Sequence, residues 1–242
     1  MGRTLQQYKK LFDGLKKKGP SRMYLLYGPE EFIKKEFVAE LTRVALGEQN
    51  RAFNLDILHG DEFDADAFND RVSSFPLFTD RRMVIVKKFE ALSTANKDFV
   101  LDRVEAIPES LVFVAETIAE KMDTARMKRL KKLSETNGLT FCFQYLSEDE
   151  TLERVRGRLR REGFDVEPDA IDLLVESVGT RLIDLTNELE KIILGASSTK
   201  VVDRGLVSAV VGRYRTENLF SVLELLGGSN VGNLIHRMNR LI

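Results

Sequence analysis

Five short apolar runs occur between residues 23 and 144, and each has the length of a β-strand rather than that of a helix. They are residues 23–27, the alternating Phe53, Leu55 and Ile57, and residues 83–86, 111–115 and 139–143. The intervals are long enough for crossover helices, and the clearest one repeats Ile33, Phe37 and Leu41 at helical spacing. This alternation predicts an α/β fold with a mostly parallel sheet and helices on both faces.

Helical patterns replace the strand pattern after Tyr145. Ser147 has the character of an N-cap in front of a charged run that ends at Gly163. Further helices are predicted at residues 168–178, 182–194 and about 202–211. The predicted domains are an α/β domain at 1–145, a small all-helical domain at 146–211, and the start of another helical domain at 212–242. The last helical pattern stops abruptly, so we expect the chain to hold only the beginning of that third domain.

The composition excludes several classes of protein. Lys and Arg total 37 against 38 Asp and Glu, so the net charge of -1 is not that of a generally basic nucleic-acid-binding protein. One cysteine and two histidines supply neither an intrachain disulfide nor the four-ligand cage of a structural zinc site. No apolar run approaches the ~20 residues of a membrane span. These observations predict a metal-free cytoplasmic protein.

The turn after the first apolar run has the setting of a phosphate-binding loop, which lies between a buried strand and an amphipathic helix. Set against G-x-x-x-x-G-K-[ST], Gly28 and Lys34 are in register. Ile33 replaces the second glycine, and Lys35 replaces the Ser or Thr. A β-branched residue suits the close approach of a phosphate poorly. We interpret the turn as a degenerate phosphate loop, and the alternative is a nucleotide-binding ATPase that uses the Gly28 to Lys35 loop.

The end of the third apolar run supports the same interpretation. In nucleotide hydrolases of this architecture such a strand ends in acidic residues that hold magnesium and orient the attacking water. Here it ends in Lys87 and Lys88, and an ammonium group has no lone pair for a metal ion. The two changes predict a fold that lacks catalytic residues, metal and cofactor. The other explanation is an α/β protein that never had such a site.

Four segments of the sequence together resemble a known family. They are MYLLYGPEEFIKKE, FPLFTDRRMVIVKKFEAL, RVEAIPESLVFVAET and GTRLIDLTNELEKIIL, in this order. The chain is similar over residues 20–215 to the delta subunit of bacterial DNA polymerase III, the clamp-loader member that opens the sliding clamp. The resemblance implies an AAA+-like α/β domain, a helical lid domain, and a C-terminal collar domain that begins near Gly212. It also implies a subunit that does not hydrolyse ATP.

The resemblance implies partners and a binding site as well. The partners would be the beta sliding clamp, the delta prime and tau/gamma subunits of the clamp loader, and primer-template DNA within the assembled complex. Leu77 and Phe78 match the Leu-Phe pair that enters a hydrophobic pocket on the clamp, and Phe75 lies beside them. Clamp-binding motifs usually carry Gln four residues before the Leu, where this chain has Ser73. The alternative is that these apolar side chains pack into the core beneath the third strand.

Two basic clusters lie on predicted helices. As possible contacts to a DNA backbone we select Lys128, Arg129, Lys132, Arg154 and Arg158. A solvated helix surface explains the same pattern. A scaffold that binds DNA through these helices is a third hypothesis for the function, and it predicts a DNA affinity that falls steeply with salt.

Overall fold

The computed structural model describes residues 2–212, and these form two compact units. One unit comprises residues 6–145, and the other comprises residues 2–5 together with residues from 146 onward. The segment 213–242, which includes almost all of the predicted start of a third domain, lies outside the described residues.

The first unit is a five-stranded sheet flanked by helices. Its elements are residues 6–18 of α1 (Arg3–Lys18), then β1 (Met23–Tyr27), α2 (Glu31–Asn54), β2 (Leu55–His59), α3 (Ala65–Ser73), β3 (Arg82–Lys87), α4 (Thr94–Val104), β4 (Leu111–Glu116), α5 (Ala125–Asn137) and β5 (Gly138–Cys142). The strand order is β2-β3-β4-β1-β5, and every neighbouring pair in this sheet is parallel. The predicted parallel α/β fold is therefore confirmed for the described residues.

The core of this unit lies on both faces of the central strands. In each of β1, β3 and β4, every residue except the last is buried, because helices cover both sides of a parallel sheet. The rings of Phe37, Phe68 and Phe113 are fully buried among the core residues. The carboxyl ends of all five parallel strands meet at one edge of the sheet, where the loops that follow them also lie.

The start of the second strand differs from the sequence prediction. The alternation of Phe53, Leu55 and Ile57 places Phe53 in a strand, but the chain remains helical through Asn54 and β2 begins at Leu55. Helical geometry within α2 is interrupted at Gly47, where φ is +70°. The residues after this break form a short helical segment, which is too short for its periodicity to be distinguished from that of a strand.

The second unit is mainly helical. Its helices are α6 (Glu148–Arg161), α7 (Pro168–Val178), α8 (Leu182–Gly195) and a segment that is helical at 204–212. Ser147 caps α6 as predicted, in a capping box with Glu150. The prediction of an all-helical domain needs one correction, since Asp165–Val166 (β6) and Val201–Val202 (β7) form a parallel pair. Two-residue strands are too short to produce a periodic pattern.

None of the helices within residues 2–212 is long and apolar enough to cross a membrane.

Candidate functional site

The loop between α3 and β3, residues 74–81, exposes three large apolar side chains and is called the apolar loop below. Phe75 is 86% exposed, Leu77 is 50% exposed and Phe78 is 82% exposed. The interpretation that these residues pack beneath the third strand is therefore wrong. Most apolar side chains of this size are buried in a folded domain, so three on one short loop form an exposed apolar patch.

The backbone of the apolar loop is held by the side chain of Asn54, at the end of α2. The Leu77 N–H donates to Asn54 Oδ1 at 2.7 Å, and Asn54 Nδ2 donates to the Leu77 carbonyl oxygen, also at 2.7 Å. Asn54 Nδ2 also donates to the Asn50 carbonyl oxygen at 3.0 Å. Asn54 is fully buried. One buried amide therefore satisfies both backbone polar groups of Leu77.

Phe78 projects from the loop in an unusual backbone conformation. Its φ is +62°, in the left-handed region that bulky residues rarely adopt. Its ring lies edge-on to the half-exposed ring of Phe53, with ring centroids 5.9 Å apart. The roles of Phe53 and Asn54 could not be predicted from the sequence, because both residues precede Leu77 by more than twenty positions and no local pattern links the two segments.

The two ends of the apolar loop are also attached to the rest of the unit. Arg81 donates to the Pro20 carbonyl oxygen at 2.8 Å, next to the first residue of β3. That residue, the buried Arg82, forms an ion pair with Asp56 of β2. At the other end, the Ser73 hydroxyl accepts a hydrogen bond of 3.0 Å from Arg103. The loop therefore exposes its apolar side chains, while its backbone at Leu77 and both of its ends are attached to the rest of the unit.

The turn at Gly28, which the sequence predicts to be a degenerate phosphate loop, lies between β1 and α2. Gly28 has φ +103°, and a Cβ at this position would lie 2.4 Å from the Phe143 carbonyl oxygen. Lys34 is buried, and its ammonium donates at 2.9 Å to the carbonyl oxygens of Gly28 and Thr117. Burial lowers the pKa of Lys34, although Glu116 and other acidic groups oppose this. The Lys34 side chain therefore bonds to the backbone of its own turn and to the backbone of the segment after β4.

A carboxylate occupies the amino end of the helix that follows this turn. Glu30 Oε1 accepts hydrogen bonds from the N–H groups of Phe32 at 2.9 Å and Ile33 at 3.3 Å. Both Glu30 and Ile33 are buried. Free N–H groups at a helix start attract anions, and here the protein supplies the anion itself.

A cavity of about 220 Å³ lies beside this turn at the carboxyl edge of the sheet. Its lining residues are Glu31, Lys34, Lys35, Val38, His59, Lys87, Lys88, Glu90, Glu116, Thr117 and Ile118. The cavity therefore brings together four of the lysines singled out in the sequence. Of these lysines, Lys88 forms an ion pair with Asp61 at 2.5 Å. Glu116 also lines the cavity, and burial raises the pKa of its carboxyl group. Within residues 2–212, no cluster of three His, Cys, Asp or Glu side chains is arranged to hold a metal ion.

The five basic residues selected as DNA contacts fall on α5 and α6, in different units. Lys128 and Lys132 of α5 are exposed. Arg129 pairs with Asp102 at 2.8 Å and Glu105 at 2.5 Å. On α6, Arg154 is half-buried and Arg158 forms ion pairs with Glu162 and Glu190. Arg129 and Arg158 thus already have acidic partners within their own units.

Residues 24–143, which carry the apolar loop and the Gly28 turn, match the family model described as DNA polymerase III, delta subunit. The chain belongs to this family. Among delta-subunit relatives, the chain is 23% identical to the probable DNA polymerase III subunit delta of Aquifex aeolicus, over 93% of this chain. It is 23% identical to the DNA polymerase III subunit delta of Bacillus subtilis, over 88% of this chain. The chain spans 65% and 63% of the lengths of these two curated relatives.

Solved structures define the fold of this delta-family chain. The Bacillus subtilis DNA clamp loader delta protein superposes with a TM-score of 0.65 at 22% identity, over 90% of this chain and 66% of that protein. The RuvB Holliday junction branch migration motor of Thermotoga maritima gives a TM-score of 0.57 at 12% identity, over 95% of this chain and 78% of that one. Domain III of the Thermotoga maritima replication initiation protein DnaA gives 0.55 at 14% identity, over 88% of this chain and 93% of that one. The fold is AAA+-like.

Proposed function

We propose that this delta-family protein is a cytoplasmic clamp-loader subunit that binds the beta sliding clamp through the apolar loop and opens it for loading on primed DNA. The observation that carries the proposal is the exposure of Phe75, Leu77 and Phe78 on one anchored loop. The membership of the delta-subunit family supports the choice of partner. The domain division at 1–145, 146–211 and 212–242 is part of the same proposal.

The apolar loop has the energetic character of an interface hot spot. Burial of a Leu or Phe side chain contributes about 1.5–3 kcal/mol, so a pocket on the clamp that takes Leu77 and Phe78 supplies enough free energy for specific binding. Charged residues are scarce at interface centres, and no charged residue lies between Phe75 and Phe78. Phe75, at one side of the pair, adds apolar area at the rim.

Clamp opening requires differential binding rather than bond chemistry. If the loop binds the open clamp interface more tightly than the closed one, binding shifts the ring towards the open state by the ratio of the two affinities. The protein itself then needs no catalytic residue. The delta prime and tau/gamma subunits of the loader would control when the loop is exposed, through ATP-driven motion.

The Gly28 turn supports a role without ATP hydrolysis. Glu30 already accepts the N–H groups at the start of α2, and Lys34 already donates to two carbonyl oxygens. A triphosphate at this turn would meet the Glu30 carboxylate and find its usual lysine engaged. Lys87 and Lys88, where acidic residues would hold magnesium, add a second obstacle.

Primer-template DNA within the assembled loader is the third proposed partner. Lys128 and Lys132 are the stronger candidates for phosphate contacts, since both are exposed. Arg154 belongs to the same proposal, while Arg129 and Arg158 would have to exchange carboxylate partners for phosphates. Sequence-independent contacts of this kind give an affinity that falls with salt.

The test is the affinity of the whole chain for the sliding clamp of the same organism. Leu77→Ala with Phe78→Ala is expected to weaken binding by at least a hundredfold, because two buried anchors are lost. The matched control is Ile183→Ala with Leu194→Ala, which removes two exposed apolar side chains from α8 and is expected to leave the affinity unchanged. Equal affinities of the unaltered chain and the Leu77/Phe78 variant would refute the proposal.

A further inference from the structure

We infer that Asn54 is a positioning residue for clamp binding, which holds the apolar loop in its binding conformation before the clamp arrives. The inference rests on the proposed function, since it assumes that Leu77 and Phe78 enter a pocket on the clamp. Asn54 itself is fully buried and presents no surface to a partner. Its effect on affinity therefore passes through the loop.

The geometry of the amide defines what Asn54 does. Its oxygen accepts the Leu77 N–H and its nitrogen donates to the Leu77 carbonyl oxygen, so only one orientation of the amide satisfies both bonds. The further bond to the Asn50 carbonyl oxygen ties the side chain to its own helix. Leu77 is thereby attached by two bonds to a rigid element rather than to another loop.

The apolar loop needs such an attachment for two reasons. Phe78 has φ +62°, a conformation that a free chain rarely adopts, so the loop without its anchor populates other backbone states. Large apolar side chains exposed to water also favour states in which they collapse onto the surface. A loop that must be ordered on binding loses affinity, whereas a loop held in advance does not.

Phe53, the residue before Asn54, supports the same arrangement. Its ring meets the Phe78 ring edge-on, so the end of α2 fixes the backbone at Leu77 and limits the directions open to Phe78. Both contacts come from one turn of one helix. Preorganisation of the loop therefore depends on residues 53 and 54, neither of which belongs to the Leu-Phe motif itself.

The experiment compares Asn54→Ala with Thr42→Ala in the whole chain. Thr42 is also buried on α2, and its hydroxyl lies 3.5 Å from the Met83 sulfur of β3, so Thr42→Ala removes a buried contact of the same helix away from the loop. We expect Asn54→Ala to lower clamp affinity about tenfold and Thr42→Ala to lower it less than twofold. Equal affinities of the two variants, at temperatures where both are fully folded, would overturn the inference.

Amide hydrogen exchange separates this inference from the proposed function. The Leu77 N–H is bonded to Asn54 Oδ1, so its exchange is expected to be slow in the unaltered chain and at least tenfold faster in Asn54→Ala, but unchanged in Thr42→Ala. Fast exchange in the unaltered chain would overturn the positioning role even if the clamp binds. If the clamp does not bind the unaltered chain at all, the proposed function fails, while protection of Leu77 by Asn54 still supports the anchored loop.

Discussion

The Lys34 ammonium lies 2.9 Å from the Thr117 carbonyl oxygen and so links the start of α2 to the segment after β4. The same ammonium is 2.9 Å from the Gly28 carbonyl oxygen. In a phosphate-binding loop the lysine at this position reaches a phosphate. Here its donors close the turn and join two segments that follow parallel strands, so the lysine that contacts phosphate in an intact loop contributes to the fold.

Replacement of Lys34 by methionine tests this structural role. Lys34→Met keeps an apolar side chain of similar length but leaves two buried carbonyl oxygens without their donor, which costs about 1–3 kcal/mol of unfolding free energy. Urea unfolding at pH 7 measures the loss. Calorimetry is expected to detect no ATP binding by the unaltered chain or the variant. ATP binding that disappears in Lys34→Met would instead favour the ATPase alternative.

Replacement of Gly28 by alanine is expected to destabilise the first unit by more than 2 kcal/mol. The new Cβ would overlap the Phe143 carbonyl oxygen, and φ +103° is unfavourable for any L side chain. Gly157→Ala is the matched control, since Gly157 lies inside α6 and a Cβ there meets no atom within 4 Å. That control is expected to gain about 0.5–1 kcal/mol from helix propensity. The urea-unfolding midpoints of the two variants are compared with that of the unaltered chain. Equal shifts in Gly28→Ala and Gly157→Ala would contradict the steric explanation.

Helix α2 could be predicted from the sequence, whereas the exposure of Phe78 could not, and the two results have different physical causes. Ile33, Phe37 and Leu41 repeat at helical spacing and are all buried, so hydrophobic periodicity was sufficient to predict α2. The exposure of Phe78 could not be predicted in this way, because a short apolar run next to a strand is equally consistent with core packing. The outward position of Phe78 depends on Asn54, which bonds the backbone of Leu77 although the two residues are distant in sequence. The β6–β7 pair could not be predicted from the sequence, because each strand has only two residues.

Glu116 is expected to destabilise the protein at neutral pH. Its Oε1 is buried and has no hydrogen-bond partner within the described part of the chain, and burial raises the pKa of Glu116 above 4.5. Since the unfolded carboxyl ionises at lower pH than the folded one, stability falls as the pH rises from 4.5 through the raised pKa. Glu116→Gln should therefore gain about 1 kcal/mol at pH 7.5 and nothing below pH 4. Urea unfolding at the two pH values measures the gain in the free energy of unfolding, and Glu109→Gln at an exposed position is the control. A gain that is the same at both pH values would contradict the prediction.

Glu150 is expected to have the opposite pH dependence. Burial acts to raise its pKa, but hydrogen bonds from the N–H groups of Leu5, Ser147 and Thr4 outweigh burial and lower the pKa below 4.5. The stabilisation is complete above pH 4.5 and is lost as the pH falls through the lowered pKa. Glu150→Gln should therefore cost about 1–3 kcal/mol at pH 7, with a smaller loss at pH 3. Thermal unfolding at both pH values tests this, and an equal loss at the two would exclude a role for the charge.

Phe78 offers a way to separate clamp binding from stability. Asn tolerates the left-handed conformation better than Phe does, so Phe78→Asn is expected to keep the loop backbone and change the free energy of unfolding by less than about 0.5 kcal/mol. The variant loses the apolar ring, and we expect clamp affinity to fall by at least about tenfold. Phe78→Val is the contrasting variant, because it keeps an apolar side chain but adopts φ +62° poorly. Surface plasmon resonance and urea unfolding measure the two quantities. Full clamp affinity in Phe78→Asn would exclude the ring from the interface.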